Sequence, residues 1–229
     1  MVVCVLALIA DRVTLRLAQA AVATRIQQEL RLPDRPSVTV HGFPFLTQLV
    51  AGRYRDVEVR AGGVPVPQLA EVAVDAHLRG LHAPLSQIVS GDLRALPVDR
   101  VDGAVALPYG EIVRLAGVGG LSLSQDGEWV RVQGRVSVLG QSFTASARAR
   151  VTVRAGALVV TADQGSMLGV RLPATLLALV ARGLSFVLPV PSLPLGLRLT
   201  GVRPAAGAME VSARADHVVL RRDQLPTVR

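Results

Sequence analysis

Cysteine is almost missing from this chain of 229 residues: Cys4 is the only one. No internal disulfide can form, and neither a CxxC pair nor a zinc-type spacing exists. Cys4 reads as one small residue within an apolar segment. Aromatic residues are scarce too, at 3%. Single-stranded nucleic acid is usually held on aromatic stacking platforms and duplexes by a reading helix. Neither is visible, so no nucleic-acid partner is expected. Lysine is absent altogether, and all 25 basic residues are arginines. A GC-rich genome explains that bias as readily as function does. The net charge of +8 nevertheless favours anionic partners. Catalytic signatures are lacking as well: there is no GxSxG elbow, HExxH or P-loop. Asp99 with Asp102, and Asp11 with Glu29, have no supporting context. His77 and His82 are five apart on a strand pattern and point to opposite faces, a poor metal geometry. His41 sits in a Gly-Pro-Phe loop, where a histidine is more often a hydrogen-bonder than a base. No enzyme activity, metal or cofactor is expected.

Apolar residues are abundant, at 50%, against 18% charged. That balance excludes disorder. With so few aromatics, the interior must be built from Val, Leu and Ala, whose smooth walls suit aliphatic side chains or acyl chains. Residues 1–10, MVVCVLALIA, carry no charge. They are about half of what a bilayer crossing needs. The length fits the apolar stretch of a signal peptide, although the positive flank is missing. The remnant of a signal or anchor is the favoured reading, over a short buried helix start. From Val13 to Leu30 the residues Leu15, Ala18, Val22, Ile26 and Leu30 recur at helical spacing, and Pro33 ends the pattern. One continuous helix from the first residues into the body is expected.

After Pro36 the period becomes two. Val38 and Val40, then Val57 and Val59, then Val72, Val74, Ala76 and Leu78 alternate with polar residues, as half-buried strands do. The clearest element is a hairpin. Val130, Val132, Gly134, Val136 and Val138 share one face, and so do Phe143, Ala145, Ala147, Ala149 and Val151. A two-residue turn at Gly140-Gln141 would put Val138 opposite Phe143 and Arg131 opposite Arg150. A register shifted by two sets Arg131 against Arg148 instead. Either way Arg131, Arg135, Arg148 and Arg150 crowd the outer face, which must be solvated or anion-bound because opposed like charges repel. Further strands are expected at 158–161, 195–202 and 209–219. Helices should start at Pro84 and Pro108, since Pro suits a first turn. Residues 173–188 carry a single charge, Arg182, and read as a helix apolar nearly all round, buried or lipid-facing.

The run Val40-His41-Gly42-Phe43-Pro44-Phe45-Leu46-Thr47-Gln48, followed by Gly52, Tyr54, Val57 and Val59, resembles the signature of the LmeA-like phospholipid-binding family of actinobacterial envelope proteins. The likeness extends loosely over residues 11–220. It implies an α+β fold of the tubular lipid-binding kind: a long, strongly curved antiparallel sheet wrapped around helices, forming one domain over residues 11–229. It also implies an extracytoplasmic place in the cell envelope, secreted or anchored by the N-terminus, and the binding of a phospholipid. The function expected is to carry or present a phospholipid, anionic by the arginine content, in support of envelope lipid or lipoglycan assembly. The alternative is a non-catalytic envelope scaffold that docks an anionic partner through the arginine face.

The apolar candidates for lining a lipid site are Phe43, Phe45, Leu46 and Leu49 around the signature loop. Phe43, Phe45 and Leu46 form a cavity mouth, plug a membrane, or simply pack the loop. Ile88, Ile112 and Leu115 come from the two Pro-started helices, and Val132, Val136 and Phe143 from the hairpin. Leu176, Leu177, Val180, Leu184 and Phe186 come from the apolar segment. Arg131, Arg150 and Arg182 are candidates for a headgroup. The expected partners are a phospholipid, a membrane surface and an envelope glycosyltransferase system, with the chain itself a monomer.

Overall fold

A computed structural model describes residues 2–64, 72–90, 95–117, 119–138, 141–167, 178, 181–190 and 193–221. Within these, the side chains of Cys4, residues 88–90 and 136–138, Gln141, Phe143, residues 163–167 and Pro194 fall outside the description. The fold is mixed α+β, with antiparallel strands in two sheets, neither closed into a barrel. The chain packs as two compact units. One holds Met1–Val105, Leu193–Arg198 and Ala213–Arg229, and the other holds Ala106–Ser192 and Leu199–Ser212.

Helix α1 runs unbroken over Val2–Leu30. It ends where Arg31 turns left-handed (φ 50°) and the Leu32 N–H reaches back to Gln27 O at 3.0 Å. This is the six-to-one closure of a Schellman motif, sealed by buried Leu32. Asp11, Leu15 and Ala23 are buried along one stripe, with Ala18 and Ile26 packed beside them. Val22, expected on that stripe, is 45% exposed, and Ala23 takes its place. The first turns differ: Val2, Val3, Val5, Leu6, Leu8 and Ile9 are all exposed. Among the described residues no helix is long and apolar enough to cross a membrane.

The six-stranded sheet has the order β1-β2-β3-β4-β11-β10. Its strands are β1 (Ser37–His41), β2 (Arg53–Val64), β3 (Val72–His82), β4 (Ala95–Pro108), β10 (Arg198–Ala205) and β11 (Ala208–Arg221). The period-two pattern sets the register. Val38 faces Val59 and Val40 faces Val57. Val57 and Val59 in turn face Leu78 and Ala76. This inner face meets α1 and helix α2 (Phe45–Ala51) in a core of Leu15, Ala23, Val38, Phe45, Tyr54, Val57 and Ala83. A second cluster joins Val98 and Val101 to Ala215 and Val218. Helix α3 spans Leu85–Ser90. The strand expected from residue 195 begins three residues later, because Leu195 and Gly196 are left-handed (φ 60° and 68°) within the short turn Pro194–Gly196.

The second sheet has the order β5-β6-β7-β8-β9: Ser122–Asp126, Trp129–Val138, Gln141–Arg154, Ala157–Met167 and Phe186–Pro189. Helix α4 (Tyr109–Ala116) starts after Pro108, which is its N-cap rather than its first residue, and stops at left-handed Gly117. Two expectations are corrected in this sheet. The hairpin takes the register shifted by two: Val136 faces Phe143, Val132 faces Ala147, and Arg131 faces Arg148. The apolar segment is not helical to residue 188. Its helix ends near Gly183, and Phe186–Pro189 add strand β9 beside β8. Ser185 makes the switch. Its hydroxyl donates to Ala181 O at 2.6 Å, satisfying a last-turn carbonyl, and accepts the Ala162 N–H of β8 at 3.0 Å.

Candidate functional site

The signature loop is held by contacts that its own residue types supply. Gly42 adopts φ 100°, and a Cβ there would lie 2.9 Å from Gln48 Nε2. The close approach lets buried Gln48 bond twice: Nε2 donates to His41 O at 3.3 Å, and Oε1 accepts the Arg55 N–H at 3.0 Å. Pro44 is the N-cap of α2 and offers no side-chain cap. Asp11 of α1 fills that role from 35 residues away, its Oδ1 accepting the Leu46 N–H at 2.8 Å. The adjacent Arg12 guanidinium lies 5.1 Å from the centre of the Phe43 ring. At the far end, Gly52 (φ 64°) closes α2 so tightly on Pro84 that a Cβ would sit 2.8 Å from Pro84 Cα. The three candidates for a mouth or plug therefore separate. Phe45 is 2% exposed against Tyr54, a core residue, whereas Phe43 is 49% exposed. Leu46 and Leu49 are half-buried.

Apart from Ile88, on α3 of the first unit, the other lining candidates belong to the second unit. Val132 and Leu184 have no exposed surface, and Ile112 has almost none. Around them Val130, Ala145, Ala147, Ala149, Leu158 and Val160 form an aliphatic inner face. Gly134 is needed there because a Cβ would collide with the Leu121 Cδ2 methyl, which sits over the strand. Leu115 is half-buried on α4, and Phe186 is half-buried on β9 opposite Val160. Leu176, Leu177 and Val180 lie outside the described residues. For Ile88, Val136 and Phe143 only the backbone position in α3, β6 and β7 is described.

On the outer face of this sheet, Arg131 and Arg148 stand opposite each other, and Asp126 of β5 reconciles them. Its Oδ2 accepts from Arg131 Nη2 at 2.6 Å and from Arg148 Nε at 3.0 Å. Arg150 instead lies 4.7 Å above the Trp129 ring, a cation–π geometry. Arg182 is exposed in the last helical turn before β9. The structure thus brings Arg131 and Arg150 onto one face. Neither Asp126 nor Trp129 stood out in the sequence, although Asp126-Gly127 between two strands is a hairpin signal that would have placed both.

A polar cluster the sequence did not reveal lies on β1, β2 and β3 of the first unit. His41 Nε2 is 2.7 Å from Glu58 Oε2, and His77 Nδ1 is 3.2 Å from Asp56. Glu58, Asp75 and His77 each bring one ligand-type atom to within 4.8 Å of one another. Within its own strand His77 has only His82 as a second histidine, on the opposite face. Its partners come from β2, where Glu58 is its register neighbour. The Arg60 guanidinium bonds both Glu58 and Asp75. It fills the place between the carboxylates that a cation would take. A shallow depression of about 420 Å³ among Leu195, Gly196, His217, Val218, Val219 and Arg221 contains none of the expected lining residues.

A family model described as LmeA-like phospholipid-binding matches residues 9–214. No curated protein and no solved structure matches the chain.

Proposed function

Because the chain belongs to the LmeA-like phospholipid-binding family, we propose that it binds an anionic phospholipid and carries or presents it in the cell envelope, without performing chemistry on it. The match over residues 9–214 carries this reading. Physical chemistry supports it. The buried face of the five-stranded sheet carries Val130, Val132, Ala145, Ala147, Ala149, Leu158 and Val160, aliphatic groups that suit an acyl chain. Each buried methylene is worth about 0.8 kcal/mol against water. A bilayer offers a lipid the same stabilisation, so a carrier need only match it while lowering the cost of crossing water. Discrimination then falls to the headgroup, whose phosphate suits arginine through paired N–H donors. The same reading places the protein on the outer side of a membrane, as a monomer serving envelope lipid or lipoglycan assembly beside a glycosyltransferase system.

Native mass spectrometry with lipid extraction, on protein purified from a bacterial membrane fraction, tests the proposal. A stoichiometric anionic phospholipid is the expected result. A clean apo mass, with no uptake from anionic vesicles, would refute it. One observation favours a second reading, a scaffold with a packed interior: Val130, Val132 and Ala149 have no exposed surface, and Leu121 already covers Gly134. The apo outcome would move the assignment there.

A further inference from the structure

The two sheets treat their arginines differently. On the six-stranded sheet most arginines meet a carboxylate, Arg55, Arg198 and Arg221 being the exceptions among the described residues. Arg60 pairs with Glu58 and Asp75, Arg79 and Arg214 with Asp102, and Arg100 with Asp216. On the outer face of the five-stranded sheet, the one described carboxylate bonded to arginine is Asp126, shared by Arg131 and Arg148. Glu128 in the neighbouring turn adds a second negative charge. Arg135, Arg150 and Arg154 have no carboxylate partner among the described residues. Their cross-strand neighbours are uncharged: Arg135 faces Thr144, Arg150 faces Thr161, and Arg154 faces Ala157. From the Arg135 row to Arg154 the array runs about 30 Å along β7, at roughly 3.3 Å per residue. At the β9 edge Val187 stands 60% exposed.

We propose that this outer face docks on the headgroup layer of an anionic phospholipid bilayer. The choice of a bilayer rests on the reading of the chain as a phospholipid binder, and the charge pattern supplies the rest. An array this long spans several phosphates, too extended for a site for one. Thr144 and Thr161 stand opposite Arg135 and Arg150, so hydroxyl donors lie beside guanidiniums, both able to bond phosphate oxygens. Trp129 lies on the same face beneath Arg150, and indole rings settle at the headgroup level of bilayers.

The test uses the full chain with vesicles of phosphatidylcholine alone and of phosphatidylcholine mixed with phosphatidylglycerol. Cosedimentation measures binding, and emission reports on Trp129, the only tryptophan. Binding should require phosphatidylglycerol, weaken as salt shortens the Debye length, and shift Trp129 emission to the blue. The double variant Arg135→Gln/Arg154→Gln should lower partitioning about 30-fold, at roughly fivefold per arginine. Its circular dichroism should match the parent's. Arg100→Gln, on the other sheet, should leave partitioning unchanged. The proposal fails if the double variant binds like the parent, if pure phosphatidylcholine binds equally well, or if Trp129 emission does not move. Stronger binding to an acidic polysaccharide or DNA than to the vesicles would also overturn it. Native mass spectrometry run in parallel separates the two readings. Lipid retained by a double variant that no longer sediments supports a docking face distinct from the lipid site. Vesicle binding by a chain that co-purifies with no lipid keeps the face and sinks the carrier.

Discussion

Replacing Asp11 with alanine removes the cap of a helix that lies 35 residues further along the chain. The carboxyl is 2% exposed, and its Oδ1 accepts the Leu46 N–H at 2.8 Å. Pro44, at the N-cap position, makes no side-chain hydrogen bond of its own. An ordinary N-cap deletion costs about 1 kcal/mol. A partly buried N–H left without its acceptor adds desolvation, so the loss should reach ~2–3 kcal/mol. For a chain of this size that is a fall in Tm of about 5–10 °C. Asp11→Asn keeps an oxygen acceptor and should lose about half as much. The assay is urea unfolding followed by far-UV circular dichroism, with the m-value compared to ensure that the same transition is read. An alanine variant within ~0.5 kcal/mol of the parent would sink the capping argument. It would mean that α2 is held by Phe45 and Gln48 alone. A loss equal in the alanine and asparagine variants would point to packing rather than to the hydrogen bond.

Other consequences follow from the same geometry. Asp126→Asn should leave Arg131 and Arg148 opposed, with a loss of up to ~1 kcal/mol that fades as salt rises, since both are about half-exposed; thermal melts across a salt series would read it. Gly134→Ala must push Leu121 aside, so a cost of ~1–3 kcal/mol in urea unfolding is expected, and a stabilised variant would show that the Leu121 contact is not tight. Arg100 lowers the pKa of Asp216 by hydrogen bonding and by its charge. That contribution to stability is present above the usual carboxylate range and is lost as pH falls through the depressed value. Carboxyl titration by NMR should find Asp216 below 3.8 in the parent and closer to it in Arg100→Gln.

The strands were legible where one face is buried. Val38 and Val40, Val57 and Val59, and Ala76 and Leu78 announce their period of two because their neighbours are polar, and the observed registers pair them apolar to apolar. The register of the β6–β7 hairpin was not decided by that rule. Both registers pair apolar with apolar, and the choice brings Arg131 and Arg148 within reach of Asp126, a residue of a third strand. The β9 strand was hidden because Leu184 to Leu188 are mostly apolar, and an unbroken apolar run has no period to separate helix from strand. In the sequence Asp11, taken as a pair with Glu29, has no supporting context. Its role depends on α1 and α2 coming together, which nothing local encodes. The signature loop was recognisable as a pattern, but the pattern did not say that Phe45 packs inward while Phe43 stays out.

The open ends of the two sheets carry a further consequence. A chain half hydrophobic, with strands of up to 14 residues, exposes backbone donors and acceptors wherever a sheet stops. Here the sheets stop at β1 and β5, each of five residues, at β9, of four residues and ending in Pro189, and at β10, which contains Pro204. Short strands and proline deny a neighbouring copy the long, regular ladder that amyloid-like pairing needs. The longest strands, β4, β7 and β11, are all interior. Edge-to-edge growth is thereby disfavoured by the order of the strands, and the arginine-rich face can be crowded against a surface without the sheets themselves becoming templates.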